Sequence, residues 1–212
     1  MEVYGTKPKR FTKEWWGYFW DYYKWHTIGG AFAAFLIITS CVQCITQTKY
    51  DLQIDYISEH GILSEHEDAL KALAEENVDD ATGNGKNEVF VLSLNMSQEN
   101  DPQMMQAMQT KLMLEMAYSE GYAFIMTKQY ADLMTEQGVL EPTSVWAGEY
   151  ANDGSVISLA DCTALSQIGI DASKQDLYIG ITKLREKEKE NELEVKRYEN
   201  GVRFAQYLIN QR

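Results

Sequence analysis

Residues 89 to 126 read VFVLSLNMSQENDPQMMQAMQTKLMLEMAYSEGYAFIM, and this stretch decides the fold. It opens with VFVLSL (89–94), a nearly continuous apolar run of the kind a strand needs when both of its faces are covered. Asp101-Pro102 then begins a helix, since proline at the first helical position gives up no hydrogen bond. Met105, Met108, Leu112 and Met116 follow at three- and four-residue steps and carry that helix to about Ser119. YAFIM (122–126) is a second short apolar run, so the order is strand, helix, strand.

Outward from this unit the same alternation continues. On the N-terminal side YDLQIDYI (50–57) sets Leu52, Ile54 and Tyr56 against Asp51, Gln53 and Asp55, the pattern of a half-buried strand. Ser64 to Glu76 reads as a helix, with Ser64 as N-cap, Glu67 three residues on, and Ala69, Leu70 and Leu73 behind them. On the C-terminal side Lys128 to Gln137 is a third helix, closed by Gly138. Right-handed crossovers turn βαβαβα into a mainly parallel sheet with helices on both faces, and this α/β class is the expected fold.

Beyond Pro142 the periodicity weakens. SVWAG (144–148) and GSVISL (154–159) suit a hairpin across Tyr150 to Gly154, LYIGI (177–181) is a strand, and KLREKEKENEL (183–193) is a solvated turn or helix start. Val195, Tyr198, Val202, Ala205 and Ile209 recur at helical steps, which predicts a final amphipathic helix on the sheet. Gly201 weakens it by about 1 kcal/mol. There are no internal repeats.

The N-terminal part obeys a different rule. TIGGAFAAFLIITSCVQCITQT (27–48) carries no formal charge and, as a helix, reaches about 33 Å, enough for a bilayer core of about 30 Å. Thr39, Ser40, Gln43 and Gln47 oppose insertion without preventing it. Lys7, Lys9, Arg10, Lys13 and Lys24 precede it, whereas residues 49–70 set only Lys49 against six acidic side chains. The positive-inside bias therefore predicts a cytoplasmic segment at 1–26, a single transmembrane helix at 27–48 and an extracytoplasmic α/β domain at 49–212.

Within the first segment WWGYFWDYYKW (15–25) is aromatic at eight of eleven positions. Aromatic rings with a polar edge collect at headgroup level, so residues 15–48 are expected to engage membrane lipid. Trp16, Trp20 and Tyr23 on one side and Trp15, Phe19 and Tyr22 on another also suit docking to an integral-membrane protein. Ile38-Thr39-Ser40-Cys41 resembles a bacterial lipobox, which makes lipidation of Cys41 the alternative form of anchoring. Cys41 and Cys44 form a C-x-x-C that in a bilayer helix reads as two small residues on one face.

Charge and side-chain inventory narrow the chemistry. The chain carries −13, and since residues 1–26 hold five basic and three acidic groups, the rest sums to −15. Phosphate backbones need a basic surface, so nucleic acid is excluded as a partner. Cys162 has no obvious disulfide partner outside the membrane stretch, and no zinc pattern exists. The loop Asp80-Ala-Thr82-Gly-Asn84-Gly85 resembles the start of an EF-hand calcium loop, but its twelfth position is Val91 where a bidentate Glu is required. His26 lies at the membrane edge, and His60 and His66 are six apart with no third ligand nearby. The row Met104, Met105, Met108, Met113 and Met116 reads as core filler, a soft binding surface being the other use of those residues. No G-x-S-x-G, phosphate loop or H-E-x-x-H occurs, so no catalytic, cofactor-binding or metal-ligating residue is assigned and the chain is expected not to be an enzyme.

One further likeness bears on function. LSLNMSQENDPQMMQAMQTKLMLEMAYSEGYAFIMTKQYADLMTEQGVLEP (92–142) resembles the N-terminal lobe of bacterial extracellular solute-binding proteins of the type II periplasmic-binding class. Gln106, Lys111, Leu112 and Ala117, then Phe124-Ile125-Met126, then Leu133, Gly138, Leu140 and Pro142 fill the family's places. Where that family has Gly-x-Ala-Asp before the third strand this chain has Gly121-Tyr122-Ala123, without the acid, and its length suffices for one lobe rather than two. The resemblance implies the fold and an external location, and it transfers no ligand. The expectation is a membrane-anchored, non-catalytic binding or interaction module of unknown ligand, associated with a transport or envelope complex. The alternative is a lipoprotein, lipidated at Cys41, serving as the solute-binding component of an ABC transporter.

Overall fold

A computed structural model describes residues 9–45, 49–97, 101–118 and 121–212. The chain divides into two units, Met1–Thr48 and Lys49–Arg212. Among its described residues the first holds one uninterrupted helix, α1 (Lys13–Ile45), 33 residues and therefore about 50 Å long. The aromatic run is not a separate segment but its opening turns. Trp15, Phe19 and Tyr23 form a ladder with ring centroids 5.3 and 5.6 Å apart, because residues four apart share a helix face, and the Phe11 ring, in the turn before the helix, lies 5.4 Å from Trp15. The stretch Tyr23–Val42 is long and apolar enough to cross a membrane, and none of it is buried. It starts four residues earlier than the charge-free window. The end of that window at Thr48, the first eight residues and the Cys44 side chain lie outside the described residues.

The second unit is a mixed α/β domain on one five-stranded sheet. Its elements are β1 (Leu52–Ser58), α2 (Ser64–Glu75), β2 (Val89–Asn95), α3 (Pro102–Tyr118), β3 (Ala123–Thr127), α4 (Lys128–Glu136), α5 (Thr143–Trp146), β4 (Val156–Ser158), α6 (Thr163–Gln167), β5 (Leu177–Ile181) and α7 (Glu192–Asn210). The strand order is β2-β1-β3-β5-β4. β1 pairs in parallel with β2 (Leu52 opposite Val89) and with β3 (Ile54 opposite Ala123), while β5 runs antiparallel to both β3 and β4. Four strands thus share a direction and β5 alone opposes them.

Helices cover both faces. Leu52, Ile54, Tyr56, Ile125 and Ile179 pack with Leu70 of α2, Leu165 of α6 and Phe204 and Leu208 of α7. Ile57, Leu92, Leu94, Phe124 and Met126 pack on the other side with Leu112 of α3 and Ala131 and Met134 of α4.

Four local expectations are corrected. β1 is not half-buried: with neighbours on both edges and helices on both faces, Asp51 and Asp55 are 0% exposed. Residues 143–146 form α5 instead of a hairpin strand, with the Thr143 hydroxyl accepting the Asn152 N–H (2.9 Å) and bonding the Asn152 and Gly154 carbonyls. The N-cap of α2 is Leu63, without a side-chain cap, and Ser64 is already helical. The innermost face of α7 includes Arg197, Asn200 and Gly201 beside Phe204, Ala205 and Leu208. Arg197 bonds the Tyr50 carbonyl (2.8 Å) and Glu194 (2.8 Å), and Asn200 bonds the Asp51 and Asp79 carbonyls, tying α7 to the start of β1. Gly201 lets the helix approach β3 closely there, since a Cβ would lie 3.0 Å from Tyr122 Cβ.

Candidate functional site

The loop of residues 80–88 is held by its own carboxylates. Asp80 accepts the N–H groups of Gly83 (2.6 Å), Asn84 (3.2 Å) and Gly85 (2.7 Å), and Asp51 accepts those of Ala81, Thr82 and Glu88. The Gly85 N–H foremost, with those of Gly83 and Asn84, keeps the Asp80 carboxyl below its ordinary range. These oxygens point inward to backbone N–H groups and serve a turn. Among the described residues no group of three or more His, Cys, Asp or Glu side chains is arranged to hold a metal. Cys162 is buried, its thiol donates to the Leu208 carbonyl (3.3 Å), and burial raises its pKa. Cys41 is exposed on α1.

A better candidate lies at the carboxyl edge of the sheet. In an open α/β sheet, adjacent strands whose outgoing connections leave on opposite faces open a crevice at their carboxyl ends. β1 leaves into α2 on one face and β3 leaves into α4 on the other, so the crevice falls beside the end of β1. There the segment from Ser58 to His66 faces the turn from Gly169 to Gln175 across a cleft of about 440 Å³. That volume is in the range of small-molecule sites.

Each wall has a local cause. Ser58 Oγ bonds the Gly61 carbonyl (3.3 Å) and accepts the His60 N–H (3.2 Å), bending the chain out of β1. Gly61 has φ +65°, and a Cβ there would stand 3.1 Å from the Asn95 amide. Opposite, Gly169 has φ +85°, and its missing side chain makes room for the His66 ring, whose Nε2 would be 2.7 Å from a Cβ. Asp171 Oδ1 accepts the Lys174 N–H (2.9 Å) and fixes the facing turn. From the floor the Tyr56 hydroxyl donates to Gln175 Oε1 (2.7 Å). Burial pushes the Tyr56 pKa up to about 12, so the phenol keeps its proton.

On the same sheet face, at the carboxyl end of the next strand, Thr127 Oγ1 is buried with no hydrogen-bond partner among the described residues. His60, His66 and Lys174 thus line one opening with Tyr56 and Gln175, a set of donors suited to holding a polar ligand. The spacing of the histidines suggests nothing by itself. The readable signal was their place in the first connection of a βαβ unit, where ligand contacts concentrate.

On the opposite face a groove of about 780 Å³ separates α3 from α4. Met96, Leu112, Met113, Met116, Tyr130 and Leu133 line it with Gln109, Gln129 and Gln137, and no charged side chain among the described residues does so. Its apolar walls continue the exposed Met113 of α3, which is 69% accessible. No protein-family model matches the chain, and no curated protein and no solved structure gives a significant match.

Proposed function

We propose that this chain is a membrane-anchored, non-catalytic binding or interaction module. In this reading residues 1–26 face the cytoplasm, the apolar part of α1 from Thr27 onward crosses the bilayer, and the α/β domain stands outside and holds a partner or ligand for a transport or envelope complex. The observation that carries it is the join of an unburied, apolar, membrane-length helix to a separately folded domain with an open cleft at the carboxyl edge of β1. Support for the orientation comes from the basic residues before Thr27 and the acidic ones after Lys49. The likeness of residues 92–142 to one lobe of a periplasmic-binding fold supports the external placement, and the mixed sheet with helices on both faces is compatible with it.

The test is thiol labelling of intact cells in a chain with Cys162 replaced. A cysteine at Lys7 should resist an impermeant reagent and one at Asn191 should react; the reverse pattern overturns the orientation. The lipoprotein alternative predicts a mature N-terminus at a diacylglyceryl Cys41. Since Cys41 lies within the continuous α1, anchoring by the helix predicts intact peptides from the first 26 residues and an unmodified thiol in the mass spectrum.

A further inference from the structure

α3 has the composition of a buried helix and the exposure of a surface one. Of its 17 residues only Leu112 is fully buried, although apolar side chains occupy every side of it. Met105, Met108, Leu112 and Met116 form the row toward the sheet. A second row runs along the outward side, Met104, Ala107, Lys111, Leu114 and Tyr118, at steps of three, four, three and four. At 3.6 residues per turn those five fall within about 80° of one another around the axis. All are exposed, Leu114 by 54% and Tyr118 by 71%.

A 3-4 repeat carried over two heptads is the seam along which a second helix packs, and a single polar residue inside such a seam selects the partner. Here that residue is Lys111, midway along the row. It has no carboxylate partner among the described residues, and Glu115, one turn on, bonds instead with Gln53 toward the sheet (3.4 Å). A second copy of this chain is a poor occupant. Whether two such rows align parallel or antiparallel, full overlap sets Lys111 against Lys111. In a domain whose net charge is strongly negative, an unpaired cation centred on an apolar row is complementary to an acid.

We propose that the outward row of α3 is a docking seam for an amphipathic helix of a different protein, which places a carboxylate against Lys111. This rests on the reading of the domain as an interaction module and names the partner's chemistry. A photoreactive amino acid at Leu114 of the full-length chain in its own membranes provides the test. The crosslinked peptide should come from another protein, with apolar residues at three- and four-residue steps and an Asp or Glu near their centre. Lys111→Glu should lower the yield at least about tenfold while Lys111→Arg preserves it, both variants melting as the parent does. A synthetic helix with leucines at that spacing should bind the full-length chain in detergent when its central residue is Glu and lose affinity by a similar factor when it is Lys. Crosslinks to lipid or to a second copy, no crosslink, or indifference to Lys111→Glu would each overturn the proposal. Thiol labelling of the two termini is independent of all these results, so failure of the seam is distinguishable from failure of the anchored-module reading.

Discussion

At Gly169 the absence of a side chain makes room for the His66 ring at the cleft wall. The residue holds φ +85°, and a methyl group would sit 2.7 Å from His66 Nε2, so Gly169→Ala combines backbone strain with displacement of the imidazole. The expected cost is about 1–3 kcal/mol, seen as a lower melting temperature together with a shifted His66 ring resonance. Asp80 gives a pH-dependent counterpart. Its folded pKa is depressed by N–H donors, so its contribution is present above the ordinary carboxylate range and is lost as pH falls through the lower folded value. The melting temperatures of the parent and of Asp80→Asn should therefore differ most above the ordinary carboxylate range and draw together as pH falls below it. A gap that widened on acidification would assign Asp80 another role.

Among the elements, α2 and α7 are amphipathic in the ordinary way and α3 is not. Because Leu112 is the one α3 side chain fully in the core, its truncation should account for most of what the helix contributes to the domain. Leu112→Ala should cost about 2–4 kcal/mol in urea denaturation, whereas Leu114→Ser, on the outward row, should stay within about 0.5 kcal/mol. Equal losses at the two positions would mean that α3 is covered from outside in the isolated protein. β5 shows a different kind of element-level rule. LYIGI reads as a strand on any register, but its direction depends on a slot between β3 and β4 that residues far from it in sequence create.

For the whole molecule, the two units predict separable behaviour. Residues 49–212 contain both hydrophobic layers, and every sheet pairing lies inside them. As a fragment they should unfold in one cooperative transition and scatter as a particle of about 15 Å radius of gyration. A non-cooperative transition would mean that residues 49–212 do not complete a core by themselves. The α1 helix, longer than a bilayer core by roughly 20 Å, should remain helical through the aromatic turns once in membrane, measured as a fall in helix content equivalent to its 33 residues when a protease removes the first 48.

The membrane-length helix, the first three strands and the helices between them were legible because each is specified locally, by an uninterrupted apolar run or by a hydrophobic period that neighbours in sequence create for themselves. The residues around the cleft were not. His60 and His66 look idle in sequence, and Asp51 and Asp55 look solvent-facing, because alternation reports one face of a strand and cannot report that helices from distant segments cover the other. α5 escapes local pattern for the same reason: the Thr143 hydroxyl fixes that turn through Asn152 and Gly154, and no local period encodes the contact. Most helices and strands of the domain, and the membrane-length run, follow from short-range periodicity and apolar length and so can be read without the fold. The antiparallel insertion of β5, the burial of Asp51 and Asp55, and the meeting of His60, His66 and Lys174 across one opening emerge in the folded chain alone, since each depends on segments brought together from far apart.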